Sequence, residues 1–114
     1  MQNQRFILRL MGMKAVCLCL LMGPASPSRA AEHKVIIADF AFSPASLTIK
    51  AGDTVLLVNR DGVPHTATRA GKGAFDTEAL GQGRDMKITF ANPGEYAYNC
   101  SIHPSMEGRI VVQE

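Results

Sequence analysis

No tryptophan occurs anywhere in this chain, tyrosine appears twice and cysteine three times. No stretch interleaves aromatic residues with arginine as a single-strand stacking platform would, and basic residues exceed acids by only 12 to 10. Nucleic acid therefore has no electrostatic footprint to meet. The longest apolar run, Ala15–Met22, falls far short of the roughly 20 residues a permanent membrane anchor needs. Internal repeats, low-complexity tracts and long amphipathic helical patterns are absent as well, which excludes solenoids and helical bundles. Gly71-Lys72-Gly73 is not followed by the Gly-Lys-Ser/Thr context of a phosphate cradle and reads as a surface loop. Asp76 and Glu78 read as a solvated face.

What is present divides at residue 30. Arg5, Arg9 and Lys14 precede the apolar run with no acid among them. Gly23-Pro24-Ala25-Ser26-Pro27 breaks the run, and Ser28-Arg29-Ala30 offers small residues at the −3 and −1 positions. Residues 1–30 thus have the three parts of a secretory signal peptide, with Ala31 as the first mature residue. Neither Cys17 nor Cys19 follows a small residue in the manner of a lipoprotein. Removal of Arg5, Arg9, Lys14 and Arg29 takes the twelve basic residues to eight against ten acids, a net charge of −2 with histidine neutral. It also leaves a single cysteine, Cys100. A lone thiol in an exported protein cannot close an internal disulfide, so it pairs between chains, reacts, or binds a metal.

The mature segment, 31–114, is one small domain. Ala31-Glu32-His33 reads as a loose start, with His33 a mobile terminal residue. A β-branched and aromatic run covers Lys34–Phe42, and Ser43-Pro44-Ala45 turns the chain. Ser46–Lys50 alternates, with Leu47 and Ile49 inward. Thr54–Val58 is a short central strand, Thr66–Arg69 another short one, and Phe75-Asp76-Thr77 is ambiguous. Asp85–Phe90 places Met86, Ile88 and Phe90 on one core-facing side; Glu95–Cys100 does the same with Tyr96, Tyr98 and Cys100. Gly108–Val112 closes the chain. Short strands every eight to twelve residues with turns between them predict an all-β sandwich or barrel.

Against that background one stretch carries chemistry. Cys100, His103 and Met106 fall within seven residues at C-x2-H-x2-M spacing, and His65 lies 35 residues upstream behind Pro64. Any one of these alone is unremarkable: a loop histidine is usually solvated, and a methionine is usually core filler. Together they supply two imidazole nitrogens, one thiolate and one weak thioether, the ligand set of an electron-transfer copper site. Soft sulfur suits Cu(I) and imidazole suits both oxidation states. Cys100 would bind as thiolate, His65 and His103 as neutral imidazoles, and Met106 as the weak axial ligand that helps set the potential. Pro104 and Pro64 stiffen the two loops that deliver these groups.

The chain resembles the cupredoxins, and within them the amicyanins. The resemblance runs through Phe42-Ser43-Pro44, Leu47-Thr48-Ile49, Ala51-Gly52-Asp53-Thr54-Val55, Asn59, Asp61, Pro64-His65-Thr66 and Tyr98-x-Cys100-x2-His103-Pro104-x-Met106. It implies a Greek-key β-sandwich of seven to eight strands with one copper ion at one end, working as a monomeric periplasmic shuttle of single electrons. It also implies that His103 reaches the surface within an apolar ring where redox partners dock, for which Val63, Pro64, Ile102 and Pro104 are this chain's candidates. An amine dehydrogenase, such as methylamine dehydrogenase, and a c-type cytochrome are the partners the family suggests. Thr66 and Ser101 match positions whose side chains tie the two ligand loops together. Leu57 departs from the pattern, standing where many relatives carry tryptophan, and the short amino end argues against an additional first strand.

Other functions fit less well. A copper enzyme of this kind needs a second metal centre, yet Asn99 precedes Cys100 and only His33 is left unassigned. A Cys-His hydrolase leaves His65 and Met106 without a purpose. A binuclear copper centre needs a second cysteine in the loop. A copper carrier or buffer that uses the same four residues is the alternative to the shuttle.

Overall fold

The computed structural model describes residues 29–114, so residues 1–28 of the expected signal peptide lie outside the described residues. Nine strands follow: β1 Glu32–Ala38, β2 Ala41–Ser43, β3 Ser46–Lys50, β4 Thr54–Asn59, β5 Thr68–Arg69, β6 Phe75–Asp76, β7 Asp85–Thr89, β8 Gly94–Asn99 and β9 Glu107–Gln113. They form two mixed sheets, ordered β2-β1-β4-β7 and β3-β9-β8-β5-β6. In each sheet one parallel pair brings together strands distant in sequence. Val35 faces Leu57 across β1 and β4, and Ile49 faces Val112 across β3 and β9. The result is the expected cupredoxin-like β-sandwich, with nine strands among the described residues where seven to eight were expected.

The difference has two sources. Phe75-Asp76 pairs with β5 as a two-residue strand too short to show alternation. The run Lys34–Phe42 is not one strand but a hairpin, folded at Asp39 and Phe40, which take φ of 52° and 57°. Two positive-φ residues between paired strands make a mirror-image turn normally written with Asn and Gly. Here neither is present. The turn is held from outside, because the Asp61 carboxylate accepts the amides of Asp39 at 2.7 Å and Phe40 at 2.9 Å.

Alternation on the strands builds the core. Val35 and Ile37 of β1, Phe42 of β2, and Val55 and Leu57 of β4 close from the first sheet; Ile49, Tyr98, Ile110 and Val112 close from the second. Each such side chain stabilises the fold by about 1.5–3 kcal/mol on full burial. Leu57 is buried within this core. Phe42 and Tyr98 meet edge to face at 4.8 Å, and Phe75 continues the cluster to Phe90 at 5.7 Å. Tyr98 lies opposite Gly108 in the ladder, and its ring fills the space a Cβ at Gly108 would need.

Two sequence expectations need correction. Met86 is exposed rather than core-facing, Ile88 is half-buried, and only Phe90 of that set is buried. β7 is the edge of its sheet, and its amino end is exposed on both faces. The start of the domain is pinned rather than loose. Asp53 is buried and accepts the Ala31 amide at 2.8 Å, the His33 ring at 2.9 Å and the Lys50 amide at 3.0 Å. Those donors, the Ala31 amide foremost, hold its carboxyl down at about 2.

Candidate metal centre

The loops that leave β4 and β8 meet at one end of the sandwich. Asn59 ends β4 fully buried, and its side-chain amide donates to the carbonyls of Val63 at 2.9 Å and Leu80 at 2.7 Å. This folds the following loop back on itself. His65 is locked within it by a two-way backbone bridge to Leu80, at 3.2 and 2.8 Å. Cys100 follows directly on β8, and the chain turns through Ser101–Met106 into β9. That turn is closed by the Cys100 amide on the Met106 carbonyl at 3.0 Å and the Met106 amide on the His103 carbonyl at 2.9 Å. One tight loop thus carries Cys100, His103 and Met106, and the sandwich brings His65 to Cys100 and His103.

His65 and Cys100 are fully buried, Met106 is buried, and His103 is half-buried. One donor atom from each of His65, Cys100 and His103 lies within 4.8 Å of the others. Cys100 Sγ stands 3.9 Å from His65 Nδ1 and 3.7 Å from His103 Nδ1. Two donors set about 2.0 and 2.3 Å from one centre at a trigonal angle would be about 3.7 Å apart. The two sulfur–nitrogen spacings match that distance, so the three donors are placed to share one ion.

Electrostatics favour the anionic sulfur. Burial pushes the Cys100 thiol up, but the Thr66 amide, 3.3 Å from Sγ, and the two imidazoles outweigh it and bring the thiol down to about 6. The far nitrogen of His65, Nε2, lies 2.8 Å from Asp61 Oδ2. A carboxylate there takes the Nε2–H and leaves Nδ1 as the bare donor, the usual support for a metal-binding histidine. Asp61 in turn is held below the usual carboxylate range, chiefly by the Phe40 amide, with Asp39 and His65 adding to it. Thr66 Oγ1 accepts the Ser101 amide at 2.8 Å and meets Ser101 Oγ at 3.0 Å, the tie the resemblance implied.

Among known proteins, a family model described as a cupredoxin-like domain matches residues 11–112. The chain belongs to the cupredoxin-like family. This cupredoxin is 34% identical over 97 residues to amicyanin from Paracoccus denitrificans, covering 77% of this chain and 74% of that one. It is 37% identical over 84 residues to a chloroplastic plastocyanin from Tetradesmus obliquus, covering 63% and 58% of the two chains. Among solved structures, a reduced amicyanin variant superposes with a TM-score of 0.68 at 30% identity, over 77% of this chain and 87% of that one. The copper-containing nitrite reductase of Thermus scotoductus SA-01 superposes with a TM-score of 0.69 at 36% identity; this chain is covered over 83% of its length but spans only 26% of the enzyme. The cofactor of the family is one copper ion per chain, and the donor set of this cupredoxin fits it.

Two residues of the site have no role in the sequence reading. Asp61 enters there only as a match to the family pattern, and its partner becomes visible once the fold turns His65 toward it. Phe40 falls within the run Lys34–Phe42 read as strand, with no role given to it, yet it is 52% exposed and its ring lies 4.9 Å from both His65 and His103. No turn residue flagged the hairpin that puts it there.

Proposed function

We propose that this cupredoxin is an exported electron shuttle in which His65, Cys100, His103 and Met106 hold one copper ion. The observation that carries the reading is the convergence of a thiolate-prone sulfur and two Nδ1 atoms from loops 35 residues apart. Copper supplies a one-electron couple when bound. The chain supplies the cradle. Cys100 is aimed by β8, His65 by its bridge to Leu80, and the Thr66 amide satisfies the sulfur. Such a fixed cradle changes little between two oxidation states, which keeps the reorganisation on electron transfer small.

Exchange with partners needs one edge of the site near the surface. His103 is half-buried while His65 is sealed, and Val63, Pro64, Ile102 and Pro104 are exposed on the two loops that hold them. An apolar ring of this kind suits brief docking of a redox protein, for which an amine dehydrogenase as donor and a c-type cytochrome as acceptor are the candidates. The periplasm is the proposed compartment, on the signal sequence over residues 1–30, with the mature domain running from Ala31 as a monomer.

Titration of the apo-protein with Cu(II), followed by visible and electron-paramagnetic resonance spectra, tests the reading. The expected result is one equivalent bound with intense thiolate-to-copper absorption, and repeated reduction and reoxidation without metal loss. Binding without that absorption would overturn the ligand assignment. Release of the metal on each reduction would instead identify a copper carrier or buffer.

A further inference from the structure

The Asp39–Phe40 turn is the least expected piece of backbone in this domain. Asp tolerates a left-handed conformation, but a bulky aromatic there is a genuine outlier, and glycine is the residue that such a turn favours. Outliers of this kind persist where the surroundings impose them, and they gather at functional sites. The surroundings here are specific. Asp61 holds both turn amides and the His65 ring with one carboxylate. Asp61 is itself set by its amide on Asn59 Oδ1 at 3.0 Å.

The strained position places a benzyl group where nothing in the core requires one. The Phe40 ring stands 4.9 Å from His65 at 83° and 4.9 Å from His103 at 80°, and the two imidazoles are 5.0 Å apart. The three rings make a nearly equilateral triangle with edge-to-face contacts on each side. His65 has other restraints: a backbone bridge and Asp61. The His103 ring has far less. Its one hydrogen-bond contact among the described residues is the long approach of Nδ1 to Cys100 Sγ. Phe40 is thus, with His65, one of the two aromatic contacts that restrain the His103 ring.

We propose that Phe40, held in its turn by Asp61, is a positioning residue for both imidazoles and slows loss of copper through the His103 side. The inference rests on the ligand assignment proposed above. The sequence accepts a locally unfavourable backbone conformation to set the ring in place. Substitution should therefore separate fold stability from site behaviour, which a merely structural residue would not do.

Phe40→Gly is the direct test, with Phe40→Tyr as the conservative partner. In the apo-protein, Phe40→Gly should leave the thermal midpoint unchanged or raise it, because glycine suits the turn. The same variant should move the His103 ring proton resonances in apo-protein spectra, through the lost ring current. With copper loaded, withdrawal of Cu(I) by bathocuproine disulfonate should accelerate several-fold and the reduction potential should shift; Phe40→Tyr should restore both. Asp61→Asn should weaken copper binding about 10- to 100-fold, as loss of a supporting carboxylate does. Unchanged withdrawal kinetics and potential in Phe40→Gly would overturn the proposal. So would a lowered apo-protein midpoint accompanied by unmoved His103 resonances. A wild-type chain that takes up no copper, while Phe40→Gly still moves the His103 resonances, would sink the ligand assignment and leave the ring contact standing.

Discussion

Thr66 Oγ1 and Ser101 stitch the two ligand loops to each other, with the Ser101 amide donating at 2.8 Å to a hydroxyl 35 residues away. Thr66 also turns its own amide onto Cys100 Sγ, so one residue fixes both the loop spacing and the sulfur. The hydroxyl is buried and additionally meets Thr68 Oγ1 at 2.8 Å. Thr66→Val keeps the shape and removes those bonds, leaving the Ser101 amide without its acceptor. The expected cost is about 1–3 kcal/mol in denaturant unfolding of the apo-protein. The Thr66 amide survives, so the blue absorption should persist.

The two proposed sulfur ligands should respond differently to removal. Cys100→Ser should abolish the thiolate absorption altogether. Met106→Ala should keep copper and colour while shifting the potential, and an unchanged potential would argue against axial ligation. Removing copper from the wild type should lower its apparent stability by about 4 kcal/mol when free metal had stood near a thousand times the dissociation constant. Differential scanning calorimetry of apo- and copper-loaded protein reads this directly.

Acid should loosen the amino end first at Asp53. Its carboxyl is held at about 2 against an ordinary 3.8, so it binds its proton more weakly in the folded chain than in the unfolded one. The stability it contributes is present in full above the unfolded value and is lost as pH falls from near 4 toward 2. Asp53→Asn should flatten that limb of the stability profile. Cleavage ahead of Ala31 would turn the amide now donating to Asp53 at 2.8 Å into an α-ammonium. A processed chain, its amino terminus verified by mass spectrometry, should therefore hold its stability to lower pH than a chain still carrying residues 1–30.

Tyr98 and Gly108 make a steric prediction with opposite signs. The Tyr98 hydroxyl is buried with no hydrogen-bond partner among the described residues, and burial drives its phenol well above its usual value. Tyr98→Phe removes an unsatisfied polar atom and should leave stability unchanged or raise it by up to about 1 kcal/mol. A clear loss on thermal unfolding would mean that the hydroxyl is satisfied after all. Gly108→Ala should cost about 1–3 kcal/mol, because its Cβ collides with the Tyr98 ring. Pairing it with Tyr98→Leu should recover part of the loss.

Much of this was legible in the residues. Strands β3 and β8 are legible by alternation because each presents one face to a single core, and β4 is legible as a short apolar run because it is central and largely buried. β7 misled, since the alternation of Met86, Ile88 and Phe90 says which residues share a face but not whether that face is covered at a sheet edge. His33 misled for a related reason: its partner, Asp53, lies 20 residues away, and neither residue announces the other. The hairpin at Asp39–Phe40 was invisible because its cause, Asp61, is 21 residues downstream of Phe40.

The amino-acid order alone determined the β class, the cupredoxin resemblance and the choice of His65, Cys100, His103 and Met106 as the candidate ligands, since periodicity and the C-x2-H-x2-M spacing are local properties of the chain. Only the folded sandwich decided that His65 presents Nδ1 and not Nε2 to Cys100, that Asp61 stands behind it, and that Phe40 lies across both imidazoles. Asp61 is only four residues from His65, but the other relationships join segments 25 to 63 residues apart, and which atom faces which depends on how two sheets pack rather than on any pattern within one strand.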